Sequence, residues 1–405
     1  MNPPLWILAA VLVLIAFRHL VGGRLRIWQI VLGGALAVLL TGGIGPANAW
    51  LAIDWEVLGF LFGVFVLGQA LAESGLLARA SVRLLGRVRS AEGLVLAVLL
   101  AGGLASALLM NDTLAVIGTP LMLALARAHR LPPALLLLAL AFGITIGSVA
   151  SPVGNPQNLL IALRGGLDNP FLSFFGQLAL PTLLLAWGVL RLAFRDDFHG
   201  EALLHDCPPL ADPALARAAS LGLVFMLAAM LAKIALAAAG TSLQLPLWTL
   251  SAVACAPVLL GYGERRRILA GIDWPTLVFF AALFVLVRAV WDTGAIQARL
   301  PADALASVPG LLLGGALVSQ LVSNVPLVAL ALPLMQSGPP APEALMALAA
   351  GSTVAGNLTL VGAASNVIIV QAAEARGVHL GFWRFLAVGA PLTALNLLVY
   401  WLFLA

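Results

Sequence analysis

The chain has 405 residues, of which 62% are hydrophobic and only 9% are charged. A soluble protein carries about 25% charged residues, so this composition excludes a soluble fold and predicts an integral membrane protein. The formal net charge of +4 is therefore no evidence for a nucleic-acid partner. The two cysteines, Cys207 and Cys255, exclude a disulfide framework and a cysteine-rich metal cluster.

Ten segments are apolar enough to cross a bilayer, which takes about 20 residues of helix. Two of them, 133–165 and 343–374, are too long for one straight helix and contain Gly, Pro, Asn and Ser, so we predict a break in each. Residues Met1–Phe17 lack a basic leader and a cleavage signal and are predicted as a span. The predicted spans are 4–17, 27–41, 56–72, 133–165, 177–193, 217–239, 246–262, 275–291, 343–374 and 386–404.

Two further apolar stretches, 93–127 and 309–336, carry a polar tetrapeptide at their centre and are predicted to be re-entrant hairpins. If 93–127 enters and returns on one side, most of the 21 basic residues fall on one face of the membrane. The excess of Lys and Arg in cytoplasmic loops then places that face inside. We therefore predict a multi-pass protein of the cell inner membrane with both termini outside.

The second half of the chain repeats motifs of the first half in the same order. Asn111 and Pro120 recur as Asn324 and Pro333, and Ile53-Asp54-Trp55 recurs as Ile272-Asp273-Trp274. Segments 143–158 and 351–366 share Gly, Thr, Gly and Asn at four matched positions. We predict repeats at 1–193 and 217–405, joined by a cytoplasmic linker at 194–216. Each repeat has five spans plus one hairpin, and because five is odd the second is inverted.

The predicted fold is therefore an all-α polytopic membrane protein with two inverted-topology repeats and two broken helices. That arrangement is typical of secondary transporters, whose site lies at the membrane midplane. A duplicated channel or a structural membrane protein are the alternatives. An intramembrane enzyme is not expected, because neither a catalytic pair nor a metal cluster falls at membrane depth.

Irregular backbone inside a bilayer must be buried in protein or line a cavity, so the two hairpin tips and the two helix breaks should meet. Their amide and hydroxyl side chains and backbone groups suit a small polar substrate or sodium. No other metal and no cofactor is expected beyond the coupling ion, H+ or Na+. The candidate binding residues are Asn111, Asp112, Thr113, Ser148, Ser151, Gly154, Asn155, Asn158, Ser323, Asn324, Asn357, Thr359, Gly362, Ser365 and Asn366.

Asp112 is the one carboxylate that the sequence places deep in the membrane, and such groups are functional by default. It is predicted to carry the coupling proton or to pair with a bound cation, with a structural hydrogen bond as the alternative. Lys233 is either a counter-charge or a packing residue, and Arg288 is read as an interface or gate residue. The linker residues 194–216 include several His, Asp and Glu side chains and are read as a polar linker rather than a metal site.

Four motifs resemble those of the ion transporter superfamily: Met110–Thr113, Gly154–Asn158, Ser323–Pro326 and Gly356–Thr359. The Asn-Asp pair of the first hairpin looks most like the branch of arsenite/antimonite permeases and D-type sodium/proton antiporters. The Gly-Asn-Pro-Gln-Asn motif is similar to bacterial members of the anion transporter group. The resemblance implies a scaffold domain that dimerises, a mobile transport domain and elevator-type movement. It also implies an arsenic-ATPase-type partner subunit as one possible partner.

The sequence leaves several substrates open. Arsenite is mainly an uncharged trihydroxide at neutral pH, and a site of amides and hydroxyls with one buried acid favours its export in exchange for protons. The absence of cysteine from the breaks argues against thiolate coordination of arsenic. Sodium- or proton-coupled transport of another small inorganic or carboxylate anion, and sodium/proton exchange, are the alternatives.

Overall fold

The computed structural model describes residues 3–17, 26–85, 88, 90–198, 210–238, 246–295, 307–335, 341–360 and 362–404. Twenty α-helices and short 3-10 turns account for the regular structure of these residues, and no strand occurs among them. The predicted all-α polytopic fold is confirmed. Of the predicted linker, residues 199–209 lie outside the described residues, and a helix already begins at Pro213.

Every predicted span of the first repeat is a helix or a pair of half-helices. The additional helices α3 and α10 are short and were not predicted as separate elements, whereas α5 overlaps the basic stretch 79–89 that the sequence predicts to be a helix. The helices of the first repeat are α1 (Pro3–Phe17), α2 (Ile27–Leu40), α3 (Pro46–Ala52), α4 (Trp55–Glu73), α5 (Leu76–Leu85), α6 (Ala91–Leu108), α7 (Asn111–Ala128), α8 (Pro133–Val149), α9 (Pro156–Arg164), α10 (Pro170–Phe175) and α11 (Ala179–Ala193).

The second repeat follows the same order, with one short additional helix, α14. Its helices are α12 (Pro213–Ala238), α13 (Leu247–Gly261), α14 (Arg265–Gly271), α15 (Trp274–Trp291), α16 (Val308–Val322), α17 (Asn324–Met335), α18 (Pro342–Val354), α19 (Ala364–Glu374) and α20 (Phe382–Leu404). Among the described residues, six helical stretches are long and apolar enough to cross a membrane alone: α4, α6, Pro170–Ala193, α12, α15 and α20.

The two broken helices end and restart where the sequence predicts. α8 ends at Val149, and α9 restarts at Pro156, whose missing N–H costs nothing in the first turn of a helix. Asn155 caps α9, because its side-chain oxygen accepts from the Asn158 N–H at 2.9 Å. In the second repeat, α18 passes into a 3-10 turn at Ala355–Asn357, and α19 begins at Ala364.

The hairpins and the broken helices pack into one cluster, which we term the hairpin cluster. Within it, each hairpin contacts helices of both repeats. The first arm of each hairpin packs on the broken helix of its own repeat, α6 on α8 and α16 on α18. The second arm packs on the half-helix of the other repeat, α7 on α19 and α17 on α9. This reciprocal packing brings each hairpin against both broken helices.

The remaining long helices form a second group, which we term the outer group. α4 packs against α12 and α13 of the second repeat, and α15 packs against α1 and α2 of the first. As in the hairpin cluster, helices of each repeat therefore pack against helices of the other repeat. At one end of α4, Glu73 forms an ion pair of 2.8 Å with Arg267, and the Ser74 carbonyl accepts the Ala211 N–H at 3.0 Å.

Candidate functional site

The first helix break is held open by its own amide side chains. Asn155 donates to the Ser148 hydroxyl at 3.0 Å, and Asn158 donates to the carbonyls of Ser148 and Ser151 at 2.9 and 3.1 Å. The Ser151 hydroxyl accepts the Val153 N–H at 3.2 Å. These four side chains are buried, so they satisfy backbone groups that the break exposes. The four side chains lie together, and structural hydrogen bonds are their main contacts.

The tip of the first hairpin lies directly on this break. The Asn111 N–H donates to the Gly154 carbonyl at 3.0 Å. A Cβ at Gly154 would lie 2.6 Å from the Ser106 carbonyl oxygen, so only glycine permits this approach. The tip therefore stops at the depth of the break, nine residues or about 13 Å of helix from the end of α9. The hairpin returns inside the protein, as predicted.

Thr113 faces the outer group. A Cβ at Gly68 of α4 would lie 2.9 Å from Thr113 Cγ2, so the threonine packs on that helix. The charge that acts on Asp112 is that of Asp273, which caps the start of α15. Thr113 thus lies where the first hairpin contacts the outer group, whereas Asn111 contacts the break through its main chain.

The two breaks meet through one threonine that the candidate list omits. Thr353, in the last turn of α18, donates to Asn158 Oδ1 at 3.3 Å and accepts from Asn155 and Gln157, both at 3.3 Å. On the opposite side, a Cβ at Gly356 would lie 3.3 Å from Thr145 Cγ2. The centre of the hairpin cluster is therefore a direct contact between the broken helices of the two repeats.

The second break is bridged by a glutamine on the second hairpin. Gln320 donates to the Ala355 carbonyl at 2.8 Å and accepts the Thr359 hydroxyl at 2.7 Å. A Cβ at Gly362 would lie 2.9 Å from Gln320 Oε1, which explains the glycine at that position. Asn366 donates to the Gly356 carbonyl at 2.5 Å, as its repeat partner Asn158 does in the first break.

The turn of the second hairpin has an unusual backbone. Ser323 has φ 72° and ψ 156°, a region that side chains other than glycine rarely occupy. Such strain costs about 1–3 kcal/mol and collects at binding and switch sites. It turns the chain sharply between α16 and α17, so that the buried Asn324 begins α17.

Several polar atoms around the two breaks are buried and have no hydrogen-bonding partner. Each such atom costs about 1–3 kcal/mol unless a ligand or water satisfies it. They leave hydrogen-bonding capacity unused at the breaks, and the amides and hydroxyls among them both donate and accept. The atoms are Asn111 Oδ1, Thr145 Oγ1, Ser319 Oγ, Asn324 Oδ1, both amide atoms of Asn357, Ser365 Oγ and Asn366 Oδ1.

Lys233, predicted as a counter-charge or a packing residue, and Arg288, predicted as an interface or gate residue, both lie on helices of the outer group. The charge acting on Lys233 is Glu56 of α4, so the lysine belongs to the outer group. Arg288 pairs with Asp292 at 2.9 Å at the end of α15. Among the described residues no cluster of three or more His, Cys, Asp or Glu side chains is placed to hold a metal ion. The linker side chains from His199 to Cys207, which are predicted to be a polar linker rather than a loose metal site, lie outside the described residues.

The whole architecture matches a solved transporter. The crystal structure of the Alcanivorax borkumensis YdaH transporter, described as having an unusual topology, superposes with a TM-score of 0.52. The match covers 100% of this chain and 98% of that one at 18% identity, so it shows a shared fold. The family model for citrate transporters matches residues 11–342. The chain belongs to the citrate transporter family.

Two relatives of this citrate transporter family member extend over most of its length. The Escherichia coli K12 inner membrane protein YbiR is 29% identical over 386 residues, 93% of this chain and 94% of that protein. The rice silicon efflux transporter LSI3 is 27% identical over 436 residues, 89% of this chain and 88% of that protein. Together with the family, they show that the chain is a membrane transporter.

The sequence analysis missed five polar residues of this family member's site: Thr145, Gln157, Ser319, Gln320 and Thr353. Thr145 and Thr353 occupy the same position of the repeated 16-residue segment, so the repeat itself held the signal that could have identified them. Gln157 lies between two asparagines that were chosen. Ser319 and Gln320 gave no signal, because they form an isolated polar pair in an apolar helix and Gln320 bonds to a residue 35 positions along the chain.

Proposed function

We propose that this family member exports arsenite or antimonite across the inner membrane in exchange for protons. The observation that carries the proposal is the set of buried, unpartnered amide and hydroxyl atoms at the two breaks. An uncharged trihydroxide donates and accepts hydrogen bonds with such groups and needs no counter-charge. A highly charged anion would need fixed cations, and Lys233 and Arg288 belong to other contacts.

The relatives favour a neutral hydroxylated acid as the substrate class. LSI3 is named a silicon efflux transporter, and dissolved silicon at neutral pH is an uncharged tetrahydroxide. Arsenite belongs to the same chemical class, since both offer hydroxyl groups on a small central atom. YbiR is named an inner membrane protein, which fits the proposed location with the basic loops and linker inside and both termini outside.

Two helical groups support an elevator-type movement. The hairpin cluster contains the binding atoms, whereas α1, α2, α4, α12, α13 and α15 form the outer group without them. We propose that the outer group is a fixed scaffold that dimerises and that the hairpin cluster slides against it. The Asp273 carboxylate of the outer group repels a charged Asp112 of the hairpin cluster, and protonation of Asp112 removes that repulsion, so we propose Asp112 as the proton-coupling residue.

A carboxylate is the second candidate, because the family model is described as a citrate transporter. Helices α7, α9, α17 and α19 all begin at the hairpin tips and breaks, and helix N-termini favour negative charge. Sodium held by Asn oxygens and carbonyls would then supply the missing positive charge. Sodium/proton exchange through Asp112 is a third possibility that needs no further substrate.

A binding screen of the purified protein separates these candidates. A ligand at a concentration of about 100 times its Kd stabilises the folded state by about 2.7 kcal/mol, and this stabilisation raises the unfolding temperature. We expect arsenite to raise the unfolding temperature. Citrate, with or without sodium, should leave the unfolding temperature unchanged. Thr353→Val, at the junction of the breaks, should weaken the effect. Stabilisation by citrate with sodium, and none by arsenite, would reject the proposal in favour of the carboxylate.

A further inference from the structure

A stripe of buried polar side chains follows α20 away from the proposed site. Thr393, Asn396 and Tyr400 are 3%, 0% and 0% exposed. Their spacing of three and four residues places them on one face of the helix. The threonine hydroxyl, both amide atoms of Asn396 and the tyrosine hydroxyl have no hydrogen-bonding partner. Four unsatisfied polar atoms inside a membrane protein therefore need an occupant that the polypeptide does not supply.

One end of this stripe begins at the second helix break. A Cβ on Gly389 would overlap the carbonyl oxygen of Asn357, so α20 touches the 3-10 turn there. Both amide atoms of Asn357 are themselves buried and unpartnered. Gly389 lies one turn before Thr393 on the same face, so the stripe continues the line of unsatisfied atoms away from the break.

The other end approaches the carboxyl terminus of α20. Arg384, in the first turn of α20, stacks 4.9 Å from the ring of Phe194, which follows α11. Thr182, in the first turn of α11, lies near Tyr400, and its own hydroxyl donates to the carbonyls of Leu178 and Ala179. The two helices therefore run antiparallel, and the stripe from Gly389 to Tyr400 spans eleven residues, or about 16 Å.

The stripe of buried polar side chains occurs in α20 and not at the equivalent positions of α11, the corresponding helix of the first repeat. Pro181 and Pro391 are repeat partners, and the same offset pairs Thr393, Asn396 and Tyr400 with Leu183, Ala186 and Leu190. Those three residues are equally buried, at 5%, 0% and 0%, but they are apolar. The packing of the fold thus needs no polar groups at these positions.

Fixed charges on the described helices around the stripe lie at helix ends. Arg191 is in the last turn of α11, Glu343 is in the first turn of α18, and Arg384 begins α20. Arg191 is already paired with Glu92 at 2.8 Å. The occupant of the stripe therefore meets neutral donors and acceptors, which is the environment that buried water takes in proteins.

We infer that Thr393, Asn396 and Tyr400 line a file of water that joins the central site to the carboxyl-terminal end of α20. The file gives protons a route to the site on one side only, because the apolar Leu183, Ala186 and Leu190 offer none. This role rests on the proton exchange proposed above, whereas the presence of water does not depend on the substrate.

Cysteine labelling tests the water file without any substrate. In a background with Cys207 and Cys255 replaced by serine, Asn396→Cys and its repeat partner Ala186→Cys are treated with 2-aminoethyl methanethiosulfonate. Only a hydrated thiol ionises and reacts, so we expect labelling at 396 to be at least about tenfold faster than at 186. Equal rates at the two positions would overturn the inference.

Flux measurements test the proton route. Tyr400→Phe removes one hydroxyl with little change of shape, and Asn396→Leu removes both amide atoms. In proteoliposomes, each should lower arsenite movement driven by a pH gradient to the rate seen without a gradient, while Ser220→Ala in α12 leaves it unchanged. Unaltered gradient-driven flux in both variants would overturn the proton route. Fast labelling at 396 without arsenite transport by the unmodified protein would reject the proposed function and retain the water file.

Discussion

The main-chain N–H of Asn111 donates to the carbonyl of Gly154 at 3.0 Å, which joins the first hairpin tip to the first helix break. Gly154→Ala would place a Cβ 2.6 Å from the Ser106 carbonyl oxygen and 2.8 Å from Ser148 Cα. We expect a loss of about 1–3 kcal/mol of stability and weaker substrate binding, because the tip must shift. Thermal unfolding with and without substrate measures both effects.

Gly188→Ala is the matched control for this substitution. Gly188 lies in α11, and a Cβ there meets nothing within 4 Å. Alanine should therefore be tolerated at 188 without a loss of stability or binding. Equal destabilisation by the two substitutions would show that the close approach at Gly154 is not what matters.

The second hairpin is attached to its break by a side-chain pair. Gln320→Leu and Thr359→Val each remove the 2.7 Å hydrogen bond between these residues. We expect the double variant to be destabilised by less than the sum of the single variants, with a coupling of about 0.5–3 kcal/mol. Denaturant unfolding of all four proteins gives the coupling, and strictly additive effects would contradict the contact.

Asp112 is expected to couple transport to protons. Asp112→Asn keeps the shape of the side chain and removes its charge, so a pH gradient should no longer drive flux. Exchange of substrate down its own gradient should continue, because the binding atoms at the breaks are unchanged. Asp292→Asn, at the surface pair with Arg288, serves as the control and should transport normally. Flux of the Asp112→Asn variant that still follows the pH gradient would exclude Asp112 as the coupling residue.

The helix boundaries were largely predictable, because they depend on local chemistry. Pro156 and the capping side chain of Asn155 fix the start of α9 through contacts within four residues. The short helices α3 and α14 were missed, since seven residues give too weak a pattern. The meeting of the four irregular elements followed from the cost of exposed backbone in lipid. The contact of Thr113 with α4 and the bridge made by Gln320 depend on packing between residues far apart in the chain. The local sequence pattern therefore could not predict them.

The end of the linker provides a spectroscopic test of the structure outside the membrane. The Tyr262 hydroxyl donates to Asp212 at 2.5 Å, and this bond raises the pKa of Tyr262 to about 12. The folded-state pKa lies above the usual value of 10.0, so the contribution to stability is present below pH 10 and is lost as pH rises through about 12. The chain has two tyrosines. The tyrosinate absorbance of the unmodified protein minus that of the Tyr262→Phe variant therefore gives the titration of Tyr262 alone.

We expect the isolated Tyr262 titration near pH 12 in the unmodified protein and closer to 10 in Asp212→Asn. For Asp212, the Leu215 N–H and then Tyr262 lower the pKa of the carboxyl group. Its contribution to stability is therefore present above its unfolded-state pKa and is lost as pH falls through the folded-state value. A titration of Tyr262 near 10 in the unmodified protein would contradict the contact between linker and α13.

The central claim is that a neutral hydroxylated acid moves in exchange for protons. Its most direct test is arsenite flux into proteoliposomes under an imposed pH gradient, measured with and without excess citrate. We predict arsenite movement that follows the gradient, reverses when the gradient is reversed, and is unaffected by citrate. Arsenite flux that ignores the pH gradient, or citrate that is itself transported and competes, would contradict the account.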